Sequence, residues 1–588
     1  MNLSSTIKSI QDIMRKDDGV DGDAQRIGQL TWMLFLKIFD QCEETWEDDA
    51  ADRRKKYKSP IPEDCRWRNW AKYVEDDKGK KKPQIQASDL VKHVNDNVFP
   101  GLQNLNVDGD EKARVVRDVF VDANNYMKSG TLMLAVIEKL DEAIDFHDLK
   151  SRGQLGTIYE QILNDLRSAG NAGEFYTPRA ITEFMVKMVN PSLKKREKVL
   201  DPACGTGGFL TATIAHLEKQ ISRKSGAEDR KAIAGCIRGI EKKQLPHLLC
   251  TTNLMLHGIE VPSMVEHRNT LSKGWNDWKL TERVDCVITN PPFGGMEDDG
   301  VGNDYPSDVR TRETADMFLV LIVKKLLKDK GGRGAVVLPD GTLFGEGVKA
   351  KVKELLLREC HLHTVVRLPN GVFNPYTGIK TNLLFFSKGK PTDIIWFYEH
   401  RYPAGVTSYS KTKPLRVEEL QPIADWWGKE SGGFATRIEN ELAWKVDFKA
   451  IKQKAETLAK PYWGQADALR NEASEFVNEI RDLRESIRGE KIESSREGVE
   501  ARIKMLNEQI DSLRQQAKEQ QAIGDRHYWP IYNLDIKNPN APEEETQDAE
   551  KLLGKYKTLL SDIEGTQSKL KAELSAALAH HFETEKPA

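Results

Sequence analysis

The sequence predicts an α/β protein: a doubly wound, mostly parallel sheet in the middle of the chain, an all-α segment before it and a helical, coiled-coil-like segment after it. Three observations predict this. Short β-branched runs alternate with helical patterns between about 149 and 400, namely VLDPACGTGGFL (199–210), CIRGIEKK (236–243), VDCVITNPPF (284–293), GGRGAVVLPD (331–340), HTVVRLPN (363–370), KTNLLFFSKG (380–389) and DIIWFYEH (393–400). Strand–helix–strand alternation with glycine at the carboxyl ends is the pattern of such a sheet, whose ligands sit beyond the strand C-termini. Ile27, Leu30, Met33, Leu34 and Ile38, and again Leu132, Leu134, Ile137, Leu140 and Ile144, recur at helical steps. Residues 466–521 carry charged heptads around Ala468, Phe476, Ile480, Leu483, Ile487, Ile503, Leu506, Ile510 and Leu513. The expected domains are 1–148, 149–448 and 449–588.

The first 148 residues read as helical throughout. Their start, MNLSSTIKSIQDIMRKDDGVDGD, is amphipathic and soon acidic, unlike a secretory or transit peptide. The apolar stretch Thr31 to Phe39 is far too short to cross a bilayer. Residues 51–83 hold twelve Lys+Arg against six Asp+Glu, with Tyr57, Trp67, Trp70 and Tyr73 interleaved. Such a stretch could touch phosphates and bases; the favoured reading is a solvated insertion whose tryptophans pack on the helices. After 448, HYWPIYNLDIKNPNAPEE (527–544) interrupts the helices, and 547–582 forms a last amphipathic one.

Composition excludes several classes. Seven cysteines, at 42, 65, 204, 236, 250, 286 and 360, never come closer than 14 positions, so neither a zinc knuckle nor a disulfide framework is readable. A reduced, cytoplasmic protein without membrane association is expected. A chain of 588 residues should hold about three or four domains. Its 88 Lys+Arg against 91 Asp+Glu argue against a self-sufficient nucleic-acid binder, because each phosphate contact needs a cation. A local basic patch or a basic partner would lift that objection.

Two loops carry chemistry. In Val199-Leu200-Asp201-Pro202-Ala203-Cys204-Gly205-Thr206-Gly207-Gly208-Phe209 a strand enters a glycine turn and then a helix. The glycines let backbone amides approach a ligand. The order differs from the dinucleotide G-x-G-x-x-G, and Asp201 would repel a pyrophosphate while suiting a ligand with a positive amino-acid end. In Ile288-Thr289-Asn290-Pro291-Pro292-Phe293 two prolines stiffen the end of another strand. The Asn290 amide oxygen and the Pro291 carbonyl then form a rigid acceptor pair for both hydrogens of a planar –NH₂, and Phe293 offers a face to a base.

DPACGTGGF followed by NPPF resembles the S-adenosylmethionine-dependent amino-methyltransferases of DNA. With GEFYTPR, GIEKK, LPDGTLF, LPNGVF…GIKTNLLFF and YNLDIKNP in the same order, nearly the whole chain is similar to the methylation subunit of type I restriction-modification systems. That resemblance implies a Rossmann-like class I methyltransferase sheet and methyl transfer from S-adenosylmethionine to adenine N6 in double-stranded DNA. It implies that Glu174, Phe175, Tyr176, Thr177, Pro178 and Arg179 line the cofactor with Ala203, Gly205, Thr206, Gly207 and Gly208. Asp201 would face the methionine amino group, and Glu241 the ribose hydroxyls. The 40-residue interval from Asp201 to Glu241 exceeds the usual spacing of about 20, through the polar insertion ISRKSGAEDRKA. Asn269 and Asp285 are further cofactor-side candidates that could equally cap a strand.

Asn290, Pro291, Pro292 and Phe293 would be catalytic, with the flipped adenine stacked on Phe293. Phe373 resembles a second base-packing aromatic, with a core Phe the competing reading. Asn before the prolines favours adenine N6 over cytosine N4. Cytosine C5 chemistry needs a cysteine after proline, and no Pro-Cys pair occurs. No metal ligand set is readable; His361 and His363 read as strand-face or buried histidines. No G-x-x-x-x-G-K-[ST] occurs, so ATP-driven translocation belongs to another chain. The implied partners are DNA, a specificity subunit that reads the target, a second copy of the methylation subunit, and a restriction subunit able to join. The alternatives are methylation of a protein glutamine amide or an RNA base, and a non-catalytic scaffold.

Overall fold

A computed structural model describes residues 3–75, 79–143, 156, 159, 163, 176–221, 226–410, 412–488, 493–541 and 549–584. Ile144, Glu174 and Phe175 lie outside these. The strands of the central sheet are β1 (Val199–Asp201), β2 (Ile237–Glu241), β3 (Val265–His267), β4 (Cys286–Thr289), β5 (Arg333–Pro339), β6 (Cys360–Arg367), β7 (Thr381–Lys388), β8 (Ile394–Glu399) and β9 (Ala443–Asp447). The helices used below are α1 (Leu3–Met14), α2 (Gly22–Asp52), α3 (Gly130–Ala143), α4 (Arg179–Val189), α5 (Gly208–Glu218), α6 (Gln244–Leu256), α7 (Thr314–Leu321), α8 (Phe448–Ser486), α9 (Glu493–Tyr528) and α10 (Ala549–Thr584).

The nine strands lie in the order β3-β2-β1-β4-β5-β7-β6-β8-β9. β7 runs antiparallel to β5 and β6, β9 antiparallel to β8, and the other neighbours are parallel. The chain winds outward from β1 through β2 and β3, then returns to β1's other side to lay down β4 and β5. The order therefore reverses between β1 and β4, and a crevice opens there beyond the strand C-termini. This is the doubly wound α/β sheet the sequence predicts.

Both faces are covered, which explains why the strands read as continuous apolar runs. Cys286 and Ile288 of β4, Ala335 and Val337 of β5, and Leu383 and Phe385 of β7 share one core with Ile181, Phe184 and Met185 of α4. Their alternates Val287, Val336, Leu338, Leu384 and Phe386 share the opposite core with Met317, Phe318 and Val320 of α7.

The N-terminal helices are joined to the sheet by apolar packing. Leu30, Met33, Phe35 and Phe39 of α2 and Met133, Val136 and Ile137 of α3 form one cluster with Leu248, Leu249, Met255 and Leu256 of α6. In the basic stretch 51–83 the packing reading holds. Trp67 and Trp70 are buried, and Tyr57 donates to Glu43 at 2.9 Å. Arg68 bridges Asp40 at 2.8 Å and Glu47 at 2.7 Å, while Arg66 reaches Glu43 at 3.3 Å. Lys72 lies 3.8 Å from Glu44, so at least three of the twelve cations are spent on acids of α2.

α8 and α9 form an antiparallel pair. Ala473 and Ile480 meet Leu506 and Ile510 along its seam, Trp463 Nε1 donates to Asp525 at 3.0 Å, and Arg502 pairs with Glu479 at 2.8 Å. Beyond α9 the chain returns to the sheet: the Tyr528 hydroxyl donates to Glu354 at 2.8 Å, Leu534 N–H to the Leu343 carbonyl at 3.0 Å, and Arg367 to the Ile536 carbonyl at 2.9 Å. Residues 538–588 form a separate unit. Its helix α10 exposes Leu553, Tyr556, Leu560, Ile563, Leu570 and Leu574, spaced as one stripe of an amphipathic helix. Among the described residues no helix is long and apolar enough to cross a membrane.

Candidate active site

The crevice between β1 and β4 holds a cavity of about 250 Å³, lined among others by Thr177, Asp201, Glu241, Asn269, Asn290 and Phe293. Asp201 closes β1 and is 1% exposed. It accepts from the Thr289 hydroxyl at 2.7 Å and from Ala203 N–H at 3.2 Å. Burial pushes its carboxyl up to about 7, against the pull of those two donors, with the Glu241 charge adding to the rise.

The glycine loop follows. Gly205 and Gly207 hold φ of +53° and +82°, the left-handed region that suits glycine. Gly207 is the N-cap residue of α5, and a Cβ there would lie 2.8 Å from Cys250 Sγ on α6. Asn253 of α6 donates to the Thr206 carbonyl at 3.0 Å and fixes the loop from behind. Glu241, at the end of β2, accepts from Gly205 N–H at 2.9 Å and from Lys243 N–H at 2.8 Å. Burial raises this carboxyl too, with the backbone amides of Lys243, Gly205 and Lys242 pulling it down. Each oxygen retains capacity for a further donor.

Asn290 stands beyond β4. Its Nδ2 donates to Thr177 Oγ1 at 3.1 Å, and its Oδ1 is buried with no partner among the described residues. A buried acceptor left unpaired costs free energy unless a ligand completes it. Pro292 and Phe293 line the cavity; Pro291 is buried beneath them. Phe373, 5% exposed, packs edge-on against Phe293 with ring centroids 6.1 Å apart and belongs to the core on that side of the sheet.

The structure thus brings together Thr177, Asp201, Ala203, Gly205, Thr206, Gly208, Glu241, Asn290, Pro292 and Phe293 around one cavity. Tyr176 and Arg179 line a smaller hollow of about 70 Å³ that shares Thr177, Thr206 and Gly208 with it, and Pro178 is the N-cap residue of α4. Asn269 lines the main cavity; it donates to Glu297 at 3.0 Å and accepts from Leu271 N–H at 3.0 Å. Asp285 sits at the opposite end of β4, accepting from Lys198 N–H at 2.9 Å and pairing with Lys328 at 2.5 Å. His363 is buried on β6 and stacks on Phe434 at 4.6 Å. Sequence reasoning misses Thr289, Glu297, Met296 and Phe318. Of these only Thr289 stood beside a motif, and its alternation with Ile288 puts it on Asp201's side.

The N-6 DNA Methylase family model matches residues 150–471, and that of the HsdM N-terminal domain matches 3–140. The type I restriction enzyme EcoEI methylase subunit of Escherichia coli is 54% identical over 499 residues, covering 82% of this chain and 98% of that one. The chain belongs to the methylase subunits of type I restriction-modification systems. Its reaction is methylation of adenine N6 in DNA, which requires a methyl donor. The StySPI methylase subunit of Salmonella potsdam is 27% identical over 73% of this methylase subunit and 77% of its own length. A crystallised modification subunit from Vibrio vulnificus YJ016 is 39% identical, with a TM-score of 0.62 over 76% of this chain and 93% of that one. A subunit solved in a study of type I complex assembly and conformational transition is 30% identical, with a TM-score of 0.68 over 100% and 99%.

Proposed function

We propose that S-adenosylmethionine is the methyl donor of this methylase subunit and that the β1–β4 crevice is where transfer takes place. The observation that carries this reading is that Asn290, whose Oδ1 is buried and has no partner among the described residues, lines the same cavity as Asp201 and Glu241. Those residues suit the donor's functional groups. Asp201 complements an ammonium, Glu241 accepts from paired ribose hydroxyls, and the glycines admit close backbone approach. Bound there, the donor supplies an electrophilic methyl group on a sulfonium.

The residues of this chain do the rest. Asn290 Oδ1 and the Pro291 carbonyl accept the two hydrogens of an extruded adenine's amino group and draw its nitrogen toward tetrahedral geometry. Phe293 stacks on the ring and holds it in line. Tyr176, Thr177, Pro178 and Arg179 close the donor's side of the crevice.

We further infer a division of labour along the chain. Residues 149–448 carry catalysis, whereas 1–148 and the helical 449–588 serve assembly with a specificity subunit, a second methylase subunit and, when present, a restriction subunit. A net charge of −3 accords with a subunit whose partner supplies sequence reading and much of the grip on phosphate.

Long-read sequencing of DNA from cells carrying this chain with its neighbouring genes tests the reading. Methylated adenines at one recurring site are expected, and none when Asn290→Ala replaces the wild type. Unmodified DNA in the presence of all subunits, or undiminished methylation by the variant, overturns it.

A further inference from the structure

The segment before α4 reaches two loops at once. Thr177 Oγ1 accepts the hydrogen bond from Asn290 Nδ2 at 3.1 Å. The carbonyl oxygen of the same residue lies against the glycine loop, 3.9 Å from where a Cβ on Gly208 would stand. One residue therefore lies beside the loop that follows β1 and is hydrogen-bonded through its side chain to the loop that follows β4.

This contact bears on the direction of the Asn290 amide. A carboxamide has an acceptor end and a donor end, and a half-turn about its last torsion exchanges them. Only with Oδ1 toward the cavity can Asn290 accept from an amino group; with the amide reversed, –NH₂ would meet –NH₂. The prolines at 291 and 292 stiffen the backbone but leave that side-chain torsion untouched. Among the described residues, Asn290 Oδ1 has no partner in the protein, so the amide is held by its nitrogen end, at Thr177.

We propose that Thr177 is a positioning residue for methyl transfer: its hydroxyl holds the –NH₂ end of Asn290 and so restrains the side-chain torsion that decides where the amide oxygen points. The assignment rests on the reading of Asn290 given above. It adds that Thr177 acts through Asn290 by its hydroxyl, in addition to lining the donor's site by its backbone. Outer contacts that orient a reacting side chain commonly matter by about ten- to hundredfold in activity.

The test uses the assembled complex of this chain with its specificity subunit and a duplex carrying the target site. Single-turnover methyl transfer, donor affinity and DNA affinity are measured for wild type, Thr177→Val and Thr177→Ser. Thr177→Val keeps the branched shape and loses the hydroxyl; Thr177→Ser keeps the hydroxyl and loses the methyl group. Thr177→Val is expected to slow the transfer step by about ten- to hundredfold while both affinities stay within about threefold, and Thr177→Ser to recover most of the rate. A rate in Thr177→Val equal to wild type overturns the proposal. So does a Thr177→Ser rate as low as that of Thr177→Val, or a loss of donor affinity that accounts for the whole loss of rate. A wild-type complex that leaves adenine unmodified would instead overturn the reading of the site itself.

Discussion

Thr289 and Asp201 join the ends of β4 and β1 by a 2.7 Å hydrogen bond across the crevice where the strand order reverses. The bond favours the charged carboxylate, yet burial outweighs it and holds Asp201 up to about 7. A carboxyl raised so far above its unfolded value of 3.8 keeps its proton in the folded chain after the unfolded chain has lost it. Its contribution to stability is therefore fully present below pH 3.8, is lost as pH rises toward 7, and is constant above.

Donor binding should show the opposite slope. An ammonium beside Asp201 favours the carboxylate, so binding below pH 7 must expel a proton. Affinity for S-adenosylmethionine is expected to rise by up to about tenfold per pH unit between 6 and 7 and to level off above. Calorimetry in buffers of different ionisation enthalpy reads the released proton directly. Asp201→Asn should bind weakly at every pH with no such slope; the same slope in that variant would assign the proton to another group.

Gly207 and Gly258 separate backbone strain from crowding. Both have positive φ, but a Cβ on Gly207 meets Cys250 Sγ at 2.8 Å, whereas one on Gly258 meets nothing within 4 Å. Gly258→Ala should cost about 1 kcal/mol through φ alone. Gly207→Ala should cost about 2–4 kcal/mol, since overpacking adds to the same strain, and should also lower donor affinity by displacing the loop. Urea denaturation and a binding titration check both, and equal costs at the two positions would remove the role given to Cys250.

Phe293 and Phe373 pack edge to face but should behave differently. Phe293 is half-buried and lines the cavity; Phe373 is enclosed behind it. Phe293→Ala should reduce methyl transfer about five- to hundredfold, the worth of one base stacked on an aromatic ring, with little loss of stability. Phe373→Ala should cost about 3–5 kcal/mol of stability, while Phe373→Leu retains most of both properties. Loss of transfer by Phe373→Leu at full stability would restore it as a base-packing residue.

What was legible in the sequence lay in contiguous runs. The strands ending in DPACGTGGF, GIEKK and NPPF each carry their own turn chemistry, so β1, β2 and β4 and the residues at their tips could be placed without coordinates. The insertion of β7 between β5 and β6 could not, because a strand buried on both faces shows no alternation that reveals its neighbour or its direction. Nor could the bond from Asn290 to Thr177, which spans 113 positions. The wide apolar surface of α6 hid a similar fact: Cys250 and Leu254 face the sheet core, while Leu248, Leu249, Met255 and Leu256 face the N-terminal helices.

The cluster around α2 gives the last prediction. Arg68 lies between Asp40, whose side chain is 5% exposed, and Glu47, and burial raises the Asp40 carboxyl even with the guanidinium bonded to it. Removing Arg68 leaves a buried carboxylate without its cation, which should cost about 3–5 kcal/mol near neutral pH. Lys55 and Lys56, in the same basic stretch, are exposed, and neither has an ion pair among the described residues. Replacing either with Ala should change stability by less than about 0.5 kcal/mol. The deficit of Arg68→Ala should shrink as pH falls, because a protonated Asp40 needs no counter-charge, and a deficit that stays constant with pH would place its cause in lost packing of the arginine stem. Urea midpoints for the three variants at two pH values decide between these outcomes.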